Sequence, residues 1–195
     1  GMWAAMTSVY WGAQFIPSGL VSVLFGLSPV VTALMASLWL QERAFTPFRV
    51  LGMGLGIAGL GIIFGHSLEM GPDAPLGMAA VLLSVHIHSA SAVWIKRIGA
   101  RLQALETTTG ALLVALPLFT MNWALLDGGW PAEIEPHSLW AIVYLGVFGS
   151  SLGFILYYYV LRNVQATRVA LVTLITPIIA LFLGQWLNEE SVTTR

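Results

Sequence analysis

An all-α integral membrane fold is predicted by three observations: 57% of the 195 residues are hydrophobic, only 9% are charged, and the apolar residues fall into long runs whose connections alternate between basic and non-basic. An average soluble domain is roughly 25% charged, and no soluble core of this length hides so much apolar surface.

A bilayer core about 30 Å thick takes about 20 helical residues, with every backbone amide satisfied inside the helix. The chain enters with Met2 to Ile16, read as the end of a span cut off on its N-terminal side. Six full spans follow. They are Gly19 to Leu40; Val50 to Phe64, Gly-rich and somewhat short; Leu76 to Ile95, which carries His and Ser; Thr107 to Leu126; Leu139 to Leu161; and Val169 to Leu187. Gly1-Met2-Trp3 lacks the basic flank of a signal peptide and runs directly into apolar sequence, so the expectation is a chain that begins inside a longer protein.

Charge is confined to the connections. Gln14 to Ser18 has none, Gln41 to Arg49 holds Arg43 and Arg49, and His66 to Pro75 holds Glu69 and Asp73. Lys96 to Arg101 is basic, Asp127 to Ser138 is acidic, and Arg162 to Arg168 is basic again. Every Lys and Arg except Arg195 therefore falls on one face, which the positive-inside rule makes cytoplasmic. One missed or invented helix would scramble this alternation. With 8 Lys+Arg against 9 Asp+Glu there is no electrostatic case for nucleic acid, and the absence of Cys excludes disulfides and thiolate metal sites.

Laid over itself with Tyr10 on Tyr158, the chain also brings Val21 to Val169, Pro29 to Pro177 and Glu42 to Glu190. Tyr10 is followed by an uncharged connection and Tyr158 by a basic one, so the two copies are expected to lie upside down relative to each other. Inverted repeats of this kind build secondary transporters that rock about a midplane site.

Tyr10-Trp11-Gly12, Leu24-Phe25-Gly26-Leu27-Ser28-Pro29 and Leu40-Gln41-Glu42-Arg43-Ala44-Phe45-Thr46 resemble the EamA repeat of the drug/metabolite transporter superfamily. Tyr144-Leu145-Gly146-Val147-Phe148-Gly149-Ser150, Tyr157-Tyr158-Tyr159-Val160-Leu161-Arg162 and Thr173-Leu174-Ile175-Thr176-Pro177 look like the same repeat again. The resemblance implies an inverted-repeat helical bundle, with this chain a fragment of a ten-helix transporter comprising six full transmembrane helices and one partial. Residues 1–65 would be the end of the first repeat, 66–75 an extracytoplasmic connection, and 76–195 the second repeat without its last helix. It further implies a secondary transporter that exports or exchanges small metabolites such as amino acids by alternating access, not an enzyme, in a bacterial inner (plasma) membrane. The expected partners are a small-molecule substrate, the lipid bilayer and, as an open alternative, a second copy in a homodimer; no cofactor and no metal are expected. No Gly-rich phosphate loop contradicts this.

Within the spans, Pro29 and Pro177 follow hydroxyl residues, Ser28 and Thr176, at matched positions. Each proline frees a carbonyl that can line a cavity, or merely kinks a packed helix. Ser84, His88 and Ser91 share one helical face, with His86 about 160° away, so the two His do not chelate one metal. His88 stands where the EamA pattern often has Trp, and a substrate or proton role is set against a buried hydrogen bond. Trp11, Gln14, Tyr158 and Thr173 complete the substrate-cavity candidates. No Asp or Glu lies mid-span. Gly52 and Gly56, Gly61 and Gly65, and Gly146, Gly149 and Gly153 read as helix-packing positions, and Glu42 as a solvated end rather than a partner of nearby basic groups. A membrane-embedded enzyme or lipid-handling protein would need converging His and carboxylates, which the spans do not offer. A noncatalytic scaffold suits the Gly-rich spans but does not require matched prolines.

Overall fold

In a computed structural model of the chain, residues 1–42, 45–64, 71–98, 103–126, 128–129, 135–175 and 179 are described. Every regular element among them is helical: α1 (Met2–Gly12), α2 (Ser18–Phe25), α3 (Ser28–Trp39), α4 (Pro47–Phe64), α5 (Ala74–Ile98), α6 (Ala104–Leu126), α7 (Pro136–Tyr144), a π-helical stretch (Leu145–Leu152), α8 (Gly153–Asn163) and α9 (Ala166–Ala170).

Four helical stretches are long and apolar enough to cross a bilayer: Gly19–Trp39, Ala74–Ile98, Ala104–Leu126 and Ser138–Asn163. They match four of the six expected spans. The expected second span is a shorter apolar helix over Pro47–Ile62, and of the last, Ala166–Ile175 is helical while the rest, Ile179 excepted, lies outside the described residues. The opening helix stops at Gly12, short of Ile16, and residues 13–15 form a turn before Ile16, which as the residue preceding Pro17 is pushed out of the α region. α6 starts earlier than expected. The Glu106 carboxylate reaches back to accept the Gln103 N–H at 2.8 Å, closing half of a capping box.

α2 and α3 form a single span with a tightened joint. Gly26 and Leu27 keep helical dihedrals, yet the Leu27 N–H donates to Leu24 O at 3.1 Å, three residues back. Pro29, in the first turn of α3, cannot supply the N–H that would continue the ladder, and the winding contracts locally instead of breaking.

α5 is the hub, packed against α1, α2 and α3 and touching α8 and α9. Near its start the backbones of α1 and α5 meet: a Cβ on Gly12 would lie 2.8 Å from Gly77 O, and one on Gly77 would lie 2.8 Å from Gly12 O. Ile16, Leu20, Ala74 and Val81 fill the space around that crossing. Near the other end of α5 the core is Ala36, Ala92, Val93, Tyr158, Leu161, Ala166 and Val169, mostly small side chains that let helices approach closely. Buried hydroxyls tie the spans between these clusters, Thr32 donating to Ser89 at 3.0 Å.

The basic connections do gather at one end. Arg49 donates to Gln165 Oε1 at 2.7 Å, Lys96 donates to Leu161 O at 3.1 Å and also to Val164 O, and Lys96 Nζ lies 3.9 Å from Glu42 Oε1. Hydrogen bonds thus join the second, fourth and sixth connections. Glu42 is not a solvated end: its side chain is only 9% exposed and is paired with Lys96, a contact between residues far apart in sequence that loop composition does not reveal. Leu113, Leu116, Leu125, Trp140 and Ile142 face outward, the apolar exterior that lipid requires.

The glycine expectations need correction. A Cβ at Gly52, Gly54, Gly59 or Gly61 would meet nothing within 4 Å, and only Gly56 in that helix is pressed by a neighbour, Leu174. Gly65 lies outside the described residues. Gly146 is equally open, while Gly149 and Gly153 touch only their own turn. They lie in or beside the π-helical stretch, where Ser151 Oγ donates to Gly146 O, five residues back, at 3.1 Å. Such sites relax winding rather than pack helices.

Candidate functional site

Helical periodicity places Ser84, His88 and Ser91 on one stripe of α5, and the structure turns that stripe toward α1 and α8. Ser84 is fully buried and donates to Ala5 O at 2.7 Å. His88 is half-buried, with its ring centroid 6.1 Å from that of Tyr157. Tyr157 meets Tyr158 edge-on at 5.3 Å, and Tyr158 stacks on Phe154 at 6.1 Å. A row of rings therefore runs from the middle of α5 into α8.

These groups line a cavity of about 30 Å³ closed on its far side by Met2, Ala5 and Met6. That is room for a water-sized occupant. Beside it lies a second cavity of about 190 Å³, bounded by Trp3, Gly110, Ala111 and again Tyr158. A wider groove of about 600 Å³ runs past Trp39, Trp94, Ile98 and Thr107. Ser91 and Gly1 border all three spaces. The linings are mainly apolar with a few hydroxyl, imidazole and indole groups, the usual make-up of a small-molecule pocket.

The other candidates sit apart. Trp11 is exposed at the far end of α1, in edge contact with Phe15 at 5.0 Å, and Gln14 is exposed in the turn that follows. Neither borders these spaces. Pro29 is buried in the α2–α3 joint, where the Ser28 hydroxyl has no hydrogen-bond partner among the described residues. Thr173 turns its hydroxyl back to Ala170 O at 2.7 Å. Thr176 and Pro177 lie outside the described residues. His86 is exposed, its Nδ1 2.8 Å from Leu82 O of its own helix, and among the described residues no three His, Asp or Glu side chains converge.

Two contributors escaped the sequence reading. Tyr157 was one of three adjacent tyrosines with nothing to rank them, and only the rotation of α8 selects it. Trp3 sits at the very start of the chain, where its indole N–H is buried without a hydrogen-bond partner among the described residues. An indole in an apolar run carries no sign of which way it faces.

An uncharacterised transporter of Bacillus subtilis (strain 168), YoaV, is 24% identical over 185 residues, which cover 94% of this chain and 63% of that protein. Protein PagO of Salmonella typhimurium is 25% identical over 187 residues, 95% of this chain and 61% of PagO. A "Probable terminal-alkyne amino-acid exporter" of Streptantibioticus cattleyicolor is 27% identical over 193 residues, 97% of this chain and 63% of the exporter. The chain thus spans somewhat over half the length of the curated relatives it matches. No solved structure matches it. The EamA-like transporter family matches residues 1–65 and 75–195, and by that near-complete match the chain belongs to the EamA-like transporter family.

Proposed function

We propose that the chain forms part of a secondary carrier that exports or exchanges small metabolites, amino acids among them, by alternating access. The observation that carries this reading is the set of adjoining spaces that Ser91 borders, the smallest lined by His88, Tyr157 and Tyr158 and the others of about 190 and 600 Å³ beside it. Ionisable and polar groups at such depth are costly unless they face a solute or water path. The amino-acid exporter named among the relatives supports the substrate class. On this reading residues 1–65 and 76–195 belong to two inverted repeats, the Lys/Arg end faces the cytoplasm of a bacterial inner membrane, and the site recognises its substrate through neutral donors and acceptors with no mid-span carboxylate.

The test is uptake by vesicles reconstituted with the full-length protein, across a panel of amino acids and related amphipathic metabolites. Flux is expected to fall by about tenfold in His88→Ala, the loss of one hydrogen bond of about 1.4 kcal/mol, and to hold in His86→Ala. Wild-type flux no greater than that of empty vesicles across the panel would overturn the reading.

A further inference from the structure

We propose that the space of about 190 Å³ bordered by Trp3, Gly110 and Tyr158 receives a compact, uncharged aliphatic side group of the substrate, and that Gly110 of α6 sets the size it accepts. The proposal rests on the carrier reading above. Ile95, Ala111, Val114, Ala115 and Leu118 supply apolar walls, and Gly110 completes them with no side chain at all. A Cβ on Gly110 would meet nothing within 4 Å. An apolar cavity of about 150 Å³ in the core of another protein admits benzene, so this larger space has room for an isobutyl group.

Small residues on one helix would by themselves leave nothing more than a gap. Here unpartnered polar groups stand around it. Tyr158 is only 7% exposed, and its hydroxyl makes no hydrogen bond to any described residue. The buried indole N–H of Trp3 is likewise without a partner among them, and Ser91 adds a second hydroxyl with none. A buried donor left unmade is costly, and folded chains satisfy nearly all of theirs. Three such groups around one apolar space mark it as built for an occupant that brings hydrogen-bond acceptors.

Position couples this space to the ring row. Tyr158 and Ser91 also border the smaller cavity that His88 and Tyr157 line, so one solute can place a polar atom among the rings and its side group against α6. Ser91 borders the wide groove as well, which gives the pocket an entrance. None of the described side chains around the pocket carries a charge. An ammonium or carboxylate on the side group would lose its water there with nothing to pair it, which selects against charged side groups.

Calorimetric titration of the purified full-length protein with alanine, leucine, lysine and phenylalanine tests the pocket. Wild type is expected to bind leucine about tenfold or more tightly than alanine or lysine, the scale set by filling an apolar pocket. Gly110→Leu fills the space and should weaken leucine by about tenfold while leaving alanine within about twofold. Leu118→Ala enlarges it and should shift preference toward phenylalanine, which reads the same pocket if Gly110→Leu does not insert. Gly54→Leu, at a glycine of α4 with equally open surroundings, should change none of these affinities. The pocket is overturned if wild type binds none of the four or binds leucine and lysine alike. It is also overturned if Gly110→Leu leaves leucine unchanged or weakens alanine equally, or if Leu118→Ala brings no shift. The readout needs no flux, so the expected affinities in a protein that transports nothing would sink the carrier reading and leave the pocket standing.

Discussion

At its first turns α5 meets α1 through bare backbone, Gly12 against Gly77, whereas at its last turns it meets α3, α8 and α9 through Lys96, Glu42 and a layer of small apolar residues. The first contact tolerates no added atom, since the obstacle is a carbonyl fixed in a helix. The second consists of side chains, one of whose carboxylate oxygens, Glu42 Oε2, has no hydrogen-bond partner among the described residues. On the carrier reading proposed above, one end of the hub helix would serve as a fulcrum and the other as a fastening, the division of labour that rocking halves need.

The hardest blow to this contrast is a side chain at the fulcrum. Gly77→Val should lower stability by about 3 kcal/mol or more, at or beyond the usual cost of overpacking because backbone cannot yield, seen as a lower unfolding temperature in detergent. A melting point close to wild type would show that the crossing is looser than its geometry. At the fastening, Lys96→Met should cost less, about 1–2 kcal/mol, because the Lys96 side chain is 21% exposed and its charge is partly screened by solvent. A loss as large as that of Gly77→Val would erase the distinction between the two ends. The smallest effect should have the opposite sign. Gly52→Ala adds a methyl group where nothing lies within 4 Å, so it should raise stability by about 0.5–1 kcal/mol through helix propensity alone. A loss there would mean that α4 packs through Gly52 after all.

The long spans were legible because lipid excludes charge and leaves a signature in composition, and the alternation of Arg43, Lys96 and Arg162 with acidic connections follows from the same rule. The Ser84–His88–Ser91 stripe was legible because helix geometry fixes which residues share a face. What the stripe faces was not. Tyr157 reaches His88 through the rotation of α8, and that rotation depends on a π-helical stretch that no hydrophobic period announces. Glu42 gave no hint of Lys96, because a pair separated by a whole hairpin of spans is fixed only by how the helices close. Gly52 and Gly56 were indistinguishable in sequence, yet one faces open space and the other Leu174. Trp11 neighbours the repeat-matched Tyr10 and still lies outside the cavity, since α1 carries it away from His88 toward the opposite end.

The π-helical stretch between α7 and α8 winds five residues back where an α-helix winds four. Its winding therefore acts as a phase setting: if the same residues wound as ordinary α-helix, each would turn further and everything downstream would rotate relative to α7. Tyr157 and Tyr158 would then turn away from His88 though their own sequence was untouched, so the aim of the ring row is set by the winding of the segment before it.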